Sequence, residues 1–86
     1  MPRISEFYGI AIYMYYRDHP PPHFHAIYGE FEAEIVIASG AIGDGRLPRR
    51  AQSLVLDWIE LHRDELRGNC DRAQQSQPLN PIDPLP

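Results

Sequence analysis

Residues 19–25 read HPPPHFH, three histidines within seven positions with three prolines between the first two. Imidazole titrates near neutrality and is the commonest protein metal ligand, so the run offers two chemistries. In the first, His23 and His25 alternate along a strand and share one face about 6–7 Å apart, close enough for both to reach one ion. His19 or Glu34 then supplies a third ligand, and such a set keeps open positions on a divalent metal, with zinc or manganese the candidate. In the second, no metal is involved. The Glu34 carboxylate favours the charged form of His25, while His23 faces Val36 and lacks such a partner. Two histidines in different environments can act as acid and base in RNA cleavage or phosphoester chemistry. The catalytic candidates are therefore His19, His23, His25 and Glu34. Tyr15, Tyr16, Arg17 and Asp18, just upstream, are candidate binding residues, the first three for phosphate. The plain alternative is an ordinary His25–Glu34 cross-strand pair with His19 a loop residue.

A further candidate is GDGRLPRR, residues 43–50. Arg49 and Arg50 fall in the first turn of a helix, where their charge meets the positive end of the helix dipole. With Arg46 they could hold an anion or an acidic partner at the helix N-terminus; alternatively they are solvated, at a cost of tenths of a kcal/mol each. Trp58 reads as a core anchor and His62 as structural. Cys70 has no neighbouring base to make it a nucleophile.

The elements that position these residues follow from periodicity. GIAIYMYY, residues 9–16, has Ile10, Ile12, Met14 and Tyr16 on one face and Ala11, Tyr13 and Tyr15 on the other, the pattern of a central strand. RDHPPP interrupts it, because proline lacks the N–H that a ladder needs. In HFHAIYGEFEAEIVI, Gly29-Glu30 suits a two-residue type II′ hairpin turn. That turn sets Tyr28 opposite Phe31, Ala26 opposite Ala33 and Phe24 opposite Ile35, all on one apolar face. It leaves Ile27 opposite Glu32, His25 opposite Glu34 and His23 opposite Val36 on the polar face. A turn at Ser39-Gly40 leads to a short strand at Ala41–Ile42.

The sequence then changes to helical period. Ala51, Leu54, Val55, Trp58, Leu61 and Leu66 form an apolar stripe, with Pro48 at the first helical position and Gly68 just past the end. The fold class expected is α+β: a three- to four-stranded antiparallel meander with one long amphipathic helix packed on one face. Residues 1–77 form one domain, and residues 78–86 form an extended proline-rich tail.

Composition limits the function classes. Eight arginines and no lysine stand against 12 acidic residues, a net charge of −4. A dedicated nucleic-acid binder shows the opposite balance, so such a role needs a local patch. One cysteine rules out an intrachain disulfide and a cysteine zinc cage. No apolar run approaches the ~20 residues of a membrane span. The N-terminus lacks a secretory core, so a reducing cytoplasm is the expected location.

FYGIAIYMYYRDHPPPHFHAIYGEFEAEI followed by LPRRAQSLVLDWIELHRDEL resembles the DUF4160 family of small bacterial proteins, with MYYRDHPPPHFH the most specific stretch. The resemblance runs from about Ile4 to the closing PIDPL and carries Tyr15, Tyr16, Asp18, His19, Pro21, Pro22, His23, His25, the Gly29 turn and Leu47-Pro48. Pro20 stands where the family commonly has Asn, and Cys70 where a tryptophan often follows Asn69. The closing I-x-P-L pattern implies a tail lying against the domain. The resemblance also implies a second small protein, of the DUF2442 family, encoded alongside in a two-gene layout like a toxin–antitoxin module.

Three functions are therefore carried forward. The leading expectation is one component of such a module, acting by protein–protein binding to a DUF2442-like partner, with a homodimer as a further arrangement. The alternative is a small histidine-dependent nuclease or phosphoesterase, metal-assisted or not, acting on RNA. The third, a transcriptional regulator, is disfavoured by the acidic charge and by a single long helix, since a helix-turn-helix needs a second one.

Overall fold

The computed structural model describes residues 2–86. Five strands and one helix follow in chain order: β1 (Arg3–Phe7), β2 (Ile10–Tyr13), β3 (His23–Tyr28), β4 (Phe31–Val36), β5 (Ile42–Gly45) and α1 (Arg49–Gln74). The strands form one antiparallel sheet in the order β1-β2-β3-β4-β5, each paired with its neighbour in sequence. The architecture is the α+β meander with one long helix, with five strands rather than three or four.

The extra strand is β1, and a bulge explains why alternation does not reveal it. The register shifts between Arg3 and Ser5. Ile4 and Phe7, three residues apart, are consequently both buried, which breaks the period of two. The connecting turn is also unusual. Tyr8 and Gly9 both have positive φ, 50° and 80°, the type I′ pattern for which Asn-Gly is the familiar signal.

The β3–β4 hairpin has the register that turn and alternation require: His23↔Val36, Phe24↔Ile35, His25↔Glu34, Ala26↔Ala33, Ile27↔Glu32 and Tyr28↔Phe31. Gly29 has φ of +58° and Glu30 does not have positive φ, as type II′ demands. Phe24, Ala26, Ala33 and Ile35 are buried with Ile10 and Ile12 of β2. Helix α1 covers this face. Trp58 is its centre, fully buried, with its ring 5.2 Å from that of Phe7 and 5.7 Å from that of Phe24.

The helix departs from the sequence reading in three ways. Pro48 precedes the first helical residue instead of occupying it. Gly68 lies inside the helix, which continues to Gln74. A mid-helix glycine costs about 1 kcal/mol relative to alanine, but Asn69 and Ala73 beyond it are buried and hold the last turns down. Leu61 is 59% exposed while Ile59 is fully buried. The buried stripe runs through Ala51, Val55, Trp58, Ile59, Leu66, Asn69 and Ala73 at helical spacing and leaves Leu61 on its flank; the backbone at His62 departs from helical geometry (φ −131°, ψ 21°).

Residues 78–86 follow the outer side of β1 and the helix. Asn69, 2% exposed, grips Asn80: its amide donates to the Asn80 carbonyl at 2.8 Å and its Oδ1 accepts the Asn80 N–H at 2.9 Å. The Ile82 N–H donates to the Ile4 carbonyl at 2.8 Å, and Trp58 Nε1 donates to the Asp83 carbonyl at 2.8 Å. Ile82 is buried among the core residues.

Candidate functional site

The site forms where the loop between β2 and β3 folds over the start of β3. The C-terminal turns of α1 anchor that loop: the Arg17 N–H donates to the Ala73 carbonyl at 3.2 Å, and the Gln74 side-chain amide donates to the Asp18 carbonyl at 3.0 Å. Arg17 adopts positive φ (54°), which turns the chain so that Asp18 points back toward β3. The His19 N–H then donates to Asp18 Oδ1 at 2.9 Å and orients the carboxylate.

Asp18 is the hub of the cluster. Its Oδ2 lies 2.8 Å from His23 Nε2 and 3.1 Å from His25 Nε2. Glu34 Oε1 lies 3.3 Å from both His23 Nε2 and His19 Nε2. The other nitrogen of His23 is fixed as well: Nδ1 is 2.7 Å from the Pro21 carbonyl. A carbonyl only accepts, so Nδ1 carries a proton, and Nε2 is the nitrogen left to face the carboxylates or an ion. His23 is buried, with a side-chain exposure of 2%. The rings pack on one another, His19 stacked on His23 at 4.8 Å and His23 edge-on to His25 at 5.1 Å, with Tyr15 edge-on to His25 at 4.2 Å.

The electrostatics follow from this packing. Burial pushes the Asp18 carboxyl up, but hydrogen bonds from His25, the His19 N–H and His23, with the charge of His23, outweigh it and hold Asp18 at about 2. The His19 imidazole is held above its ordinary value, first by its hydrogen bond to the Pro20 carbonyl and then, against some desolvation, by Glu34 and Asp18. Burial, with the charges of Glu32 and Asp18, pushes the Tyr15 phenol up.

Two overlapping groups have metal-ligand spacing: Asp18, His23 and His25, and His19, His23 and Glu34. They share His23, whose Nε2 has a single lone pair. The two groups therefore cannot each hold an ion through that nitrogen at the same time.

Several expected pairings are redrawn. Glu34 stands opposite His25 in register, yet its carboxylate reaches His23 and His19. The nearest carboxylate to His25 is that of Asp18 at 3.1 Å, with Glu32 at 3.8 Å, because the loop lays Asp18 across the strand, whereas Glu34 leans along it. His23 therefore does not lack an acidic partner. Of the binding candidates, Tyr15 and Asp18 are in the cluster. Arg17 is turned away, with Nε donating to Ser76 Oγ at 3.0 Å, and Tyr16 is exposed. Arg46, Arg49 and Arg50 lie at the N-terminal end of α1, all exposed. They belong to the opposite end of the 26-residue helix from the residues that anchor the loop, and Arg46 sits 5.2 Å over the Phe31 ring.

A cavity of about 270 Å³ opens beside the cluster, lined by Met14, Asp18, His19, Pro20, Pro22, His23 and the α1 residues Cys70, Asp71, Ala73 and Gln74. A second of similar volume adjoins it, with Pro22, Cys70 and Asp71 common to both and Arg67 in its wall. Sequence reasoning did not place Cys70, Asp71 or Gln74 here. They are spaced along one face of α1, and only a helix continuing beyond Gly68 brings that face to the histidines. Burial pushes the Cys70 thiol up, and the Asp71 charge adds to it. Among the described residues, no helix is long and apolar enough to cross a membrane.

A family model described as "Domain of unknown function (DUF4160)" matches residues 9–69. The match covers well over half of the chain, so the chain belongs to that family. No curated protein and no solved structure matches it.

Proposed function

We propose that this DUF4160 protein is a small metal-assisted phosphoesterase, with a divalent ion such as zinc or manganese held by His23, His25 and Asp18 and flanked by His19 and Glu34. The observation that carries the reading is the convergence of two Nε2 atoms on one carboxylate oxygen, with Nδ1 of His23 already committed to a main-chain carbonyl. Ligands on an ion with bonds of about 2.1 Å sit about 3.0–3.4 Å from one another. Within the proposed set Asp18 Oδ2 lies 3.1 Å from His25 Nε2, of that size, and 2.8 Å from His23 Nε2, slightly closer. Charge favours a metal over histidine chemistry alone. Asp18 and Glu34 would repel a phosphate group, and no basic side chain other than histidine lines the adjoining cavity.

A bound divalent ion would polarise the phosphoryl oxygens and lower the pKa of an attacking water. The remaining steps use this chain's residues. The water oxygen bonds to phosphorus as the bond to the leaving oxygen breaks. Glu34 accepts the water proton, and His19, the most exposed of the three rings, gives one to the leaving oxygen. The products are a phosphomonoester and an alcohol. The test is hydrolysis of bis(p-nitrophenyl) phosphate and of labelled RNA by chelator-treated protein reloaded with zinc or manganese. Metal-dependent turnover that falls at least 100-fold in His23→Gln and His25→Gln supports the proposal. Absence of turnover, or turnover indifferent to chelator and to both substitutions, overturns it.

A second reading, a binding component of a two-gene module, is favoured by the open edge of the sheet. Among the described residues no strand pairs with the outer side of β5, whereas Ile82 meets the β1 side. An uncovered edge accepts an added strand, from a small DUF2442-like partner or a second copy. Tyr8, Tyr16, Tyr28, Leu56 and Leu61 add exposed apolar surface. The two readings are compatible if the partner restrains the centre. Co-purification after co-expression tests it: a complex that survives size exclusion and is lost when a proline replaces Asp44 supports the edge, and independent elution opposes it.

A further inference from the structure

We infer that the trough beside the histidine cluster is the seat of a single-stranded oligonucleotide, with the phosphate next to the scissile one held by Arg67. The inference rests on the phosphoesterase reading and names its substrate class. The two cavities adjoin, with Pro22, Cys70 and Asp71 lining both, and together they are taken as one trough. One wall is a single face of α1, on which Arg67, Cys70, Asp71 and Gln74 stand at i, i+3, i+4 and i+7. The other wall is the proline loop, with Val36, Ile37 and Ala38 from the end of β4.

Along this trough charge is distributed unevenly. The cluster end carries Asp18 and His23. The far end carries Arg67, the only arginine lining either cavity. Arg67 forms no ion pair among the described residues, although Arg63, one turn earlier, is tied to Glu60. A guanidinium without an ion pair, facing the apolar Val36, Ile37 and Ala38 across the cavity and with Asp71 one turn along its own helix, fits a phosphate or carboxylate. From Arg67 to Gln74 the helix advances about 10 Å, longer than one internucleotide step, and the flexible Arg67 side chain spans the rest. The apolar walls suit ribose and base. The Asp71 carboxylate would repel a phosphate placed between the ends but accepts hydrogen bonds from a base amino group. Cys70 stands where the two cavities meet, and its small side chain leaves the passage open.

The experiment measures binding of a fluorescent single-stranded hexanucleotide, across a series of salt concentrations, by zinc-loaded wild type, Arg67→Ala and Arg67→Lys. The expected result is roughly tenfold weaker binding by Arg67→Ala, substantial recovery in Arg67→Lys, and a salt slope shallower by about 0.7, the value of one single-strand phosphate contact. Equal affinity and equal slope in wild type and Arg67→Ala would overturn the inference. So would a wild type that hydrolyses bis(p-nitrophenyl) phosphate with metal but binds no oligonucleotide, or that prefers a peptide ending in a free carboxylate. A wild type without metal-dependent hydrolysis of any phosphodiester is a different failure, that of the phosphoesterase reading itself.

Discussion

Asp18→Asn is the substitution whose consequence can be worked out most fully. Asp18 Oδ2 accepts from two imidazoles, and Oδ1 accepts the His19 N–H. An asparagine keeps the shape but sets an NH2 against a ring N–H or loses the charge-assisted acceptor. The carboxyl is held at about 2 against an ordinary 3.8. At 1.36 kcal/mol per pH unit that difference corresponds to at most about 2.5 kcal/mol. The side chain is 23% exposed, and solvent screening reduces the figure to about 1–2 kcal/mol. The sign follows from linkage. A carboxyl whose folded pKa is depressed contributes its full stabilisation above the unfolded value and loses it as pH falls through the folded one. Wild type should therefore exceed Asp18→Asn by about 1–2 kcal/mol at pH 7, a shift of about 1 M or more in urea midpoint for a chain this small. The advantage should be intact at pH 5, shrink below pH 4 and be mostly lost by pH 2. Urea unfolding of chelator-treated protein at pH 7, 5, 3 and 2 measures it. A difference below about 0.5 kcal/mol at pH 7, the size of an ordinary surface substitution, or one undiminished at pH 2, would refute the reasoning.

Four further substitutions test the frame that holds the site. Asn69→Ala removes both hydrogen bonds to Asn80 and should cost about 2–4 kcal/mol, since two polar main-chain groups lose their partner; thermal unfolding and protease cleavage after residue 77 report it. Gly45→Ala would place a Cβ 2.1 Å from the Glu32 carbonyl oxygen at φ of +76°, so β5 should detach or the protein should lose more than about 2 kcal/mol, read by amide exchange at Ile42–Gly45. Ile59→Ala should cost about 2–5 kcal/mol by opening a cavity, whereas exposed Leu61→Gln should stay within about 0.5 kcal/mol; reversed magnitudes in urea melts would contradict the helix phase.

The histidine face was legible because two independent signals agree on it. A Gly-Glu turn and a run of alternating apolar residues can be satisfied together by one register only, and that register puts His23 and His25 on the side away from Trp58. The partner of those histidines was not legible. Asp18 reaches them because Arg17 takes a left-handed conformation and the last turn of α1 binds the loop, contacts that join residues 56 or more positions apart. Strand β1 was hidden by its bulge. The trough was hidden by Gly68, which reads as a helix stop until the burial of Asn69 and Ala73 shows what holds the helix together beyond it. Leu61 stands three residues after Trp58 at the edge of the stripe, where spacing alone fits either burial or exposure.

Whether one ion sits among these side chains is decided by calorimetric titration of zinc or manganese into metal-stripped protein. One ion should bind per chain, because both ligand groups depend on the single Nε2 of His23. That binding should be lost in His23→Gln and in Asp18→Ala variants that still unfold cooperatively. No binding by wild type, two ions per chain, or binding unchanged in His23→Gln would contradict a single ion held there.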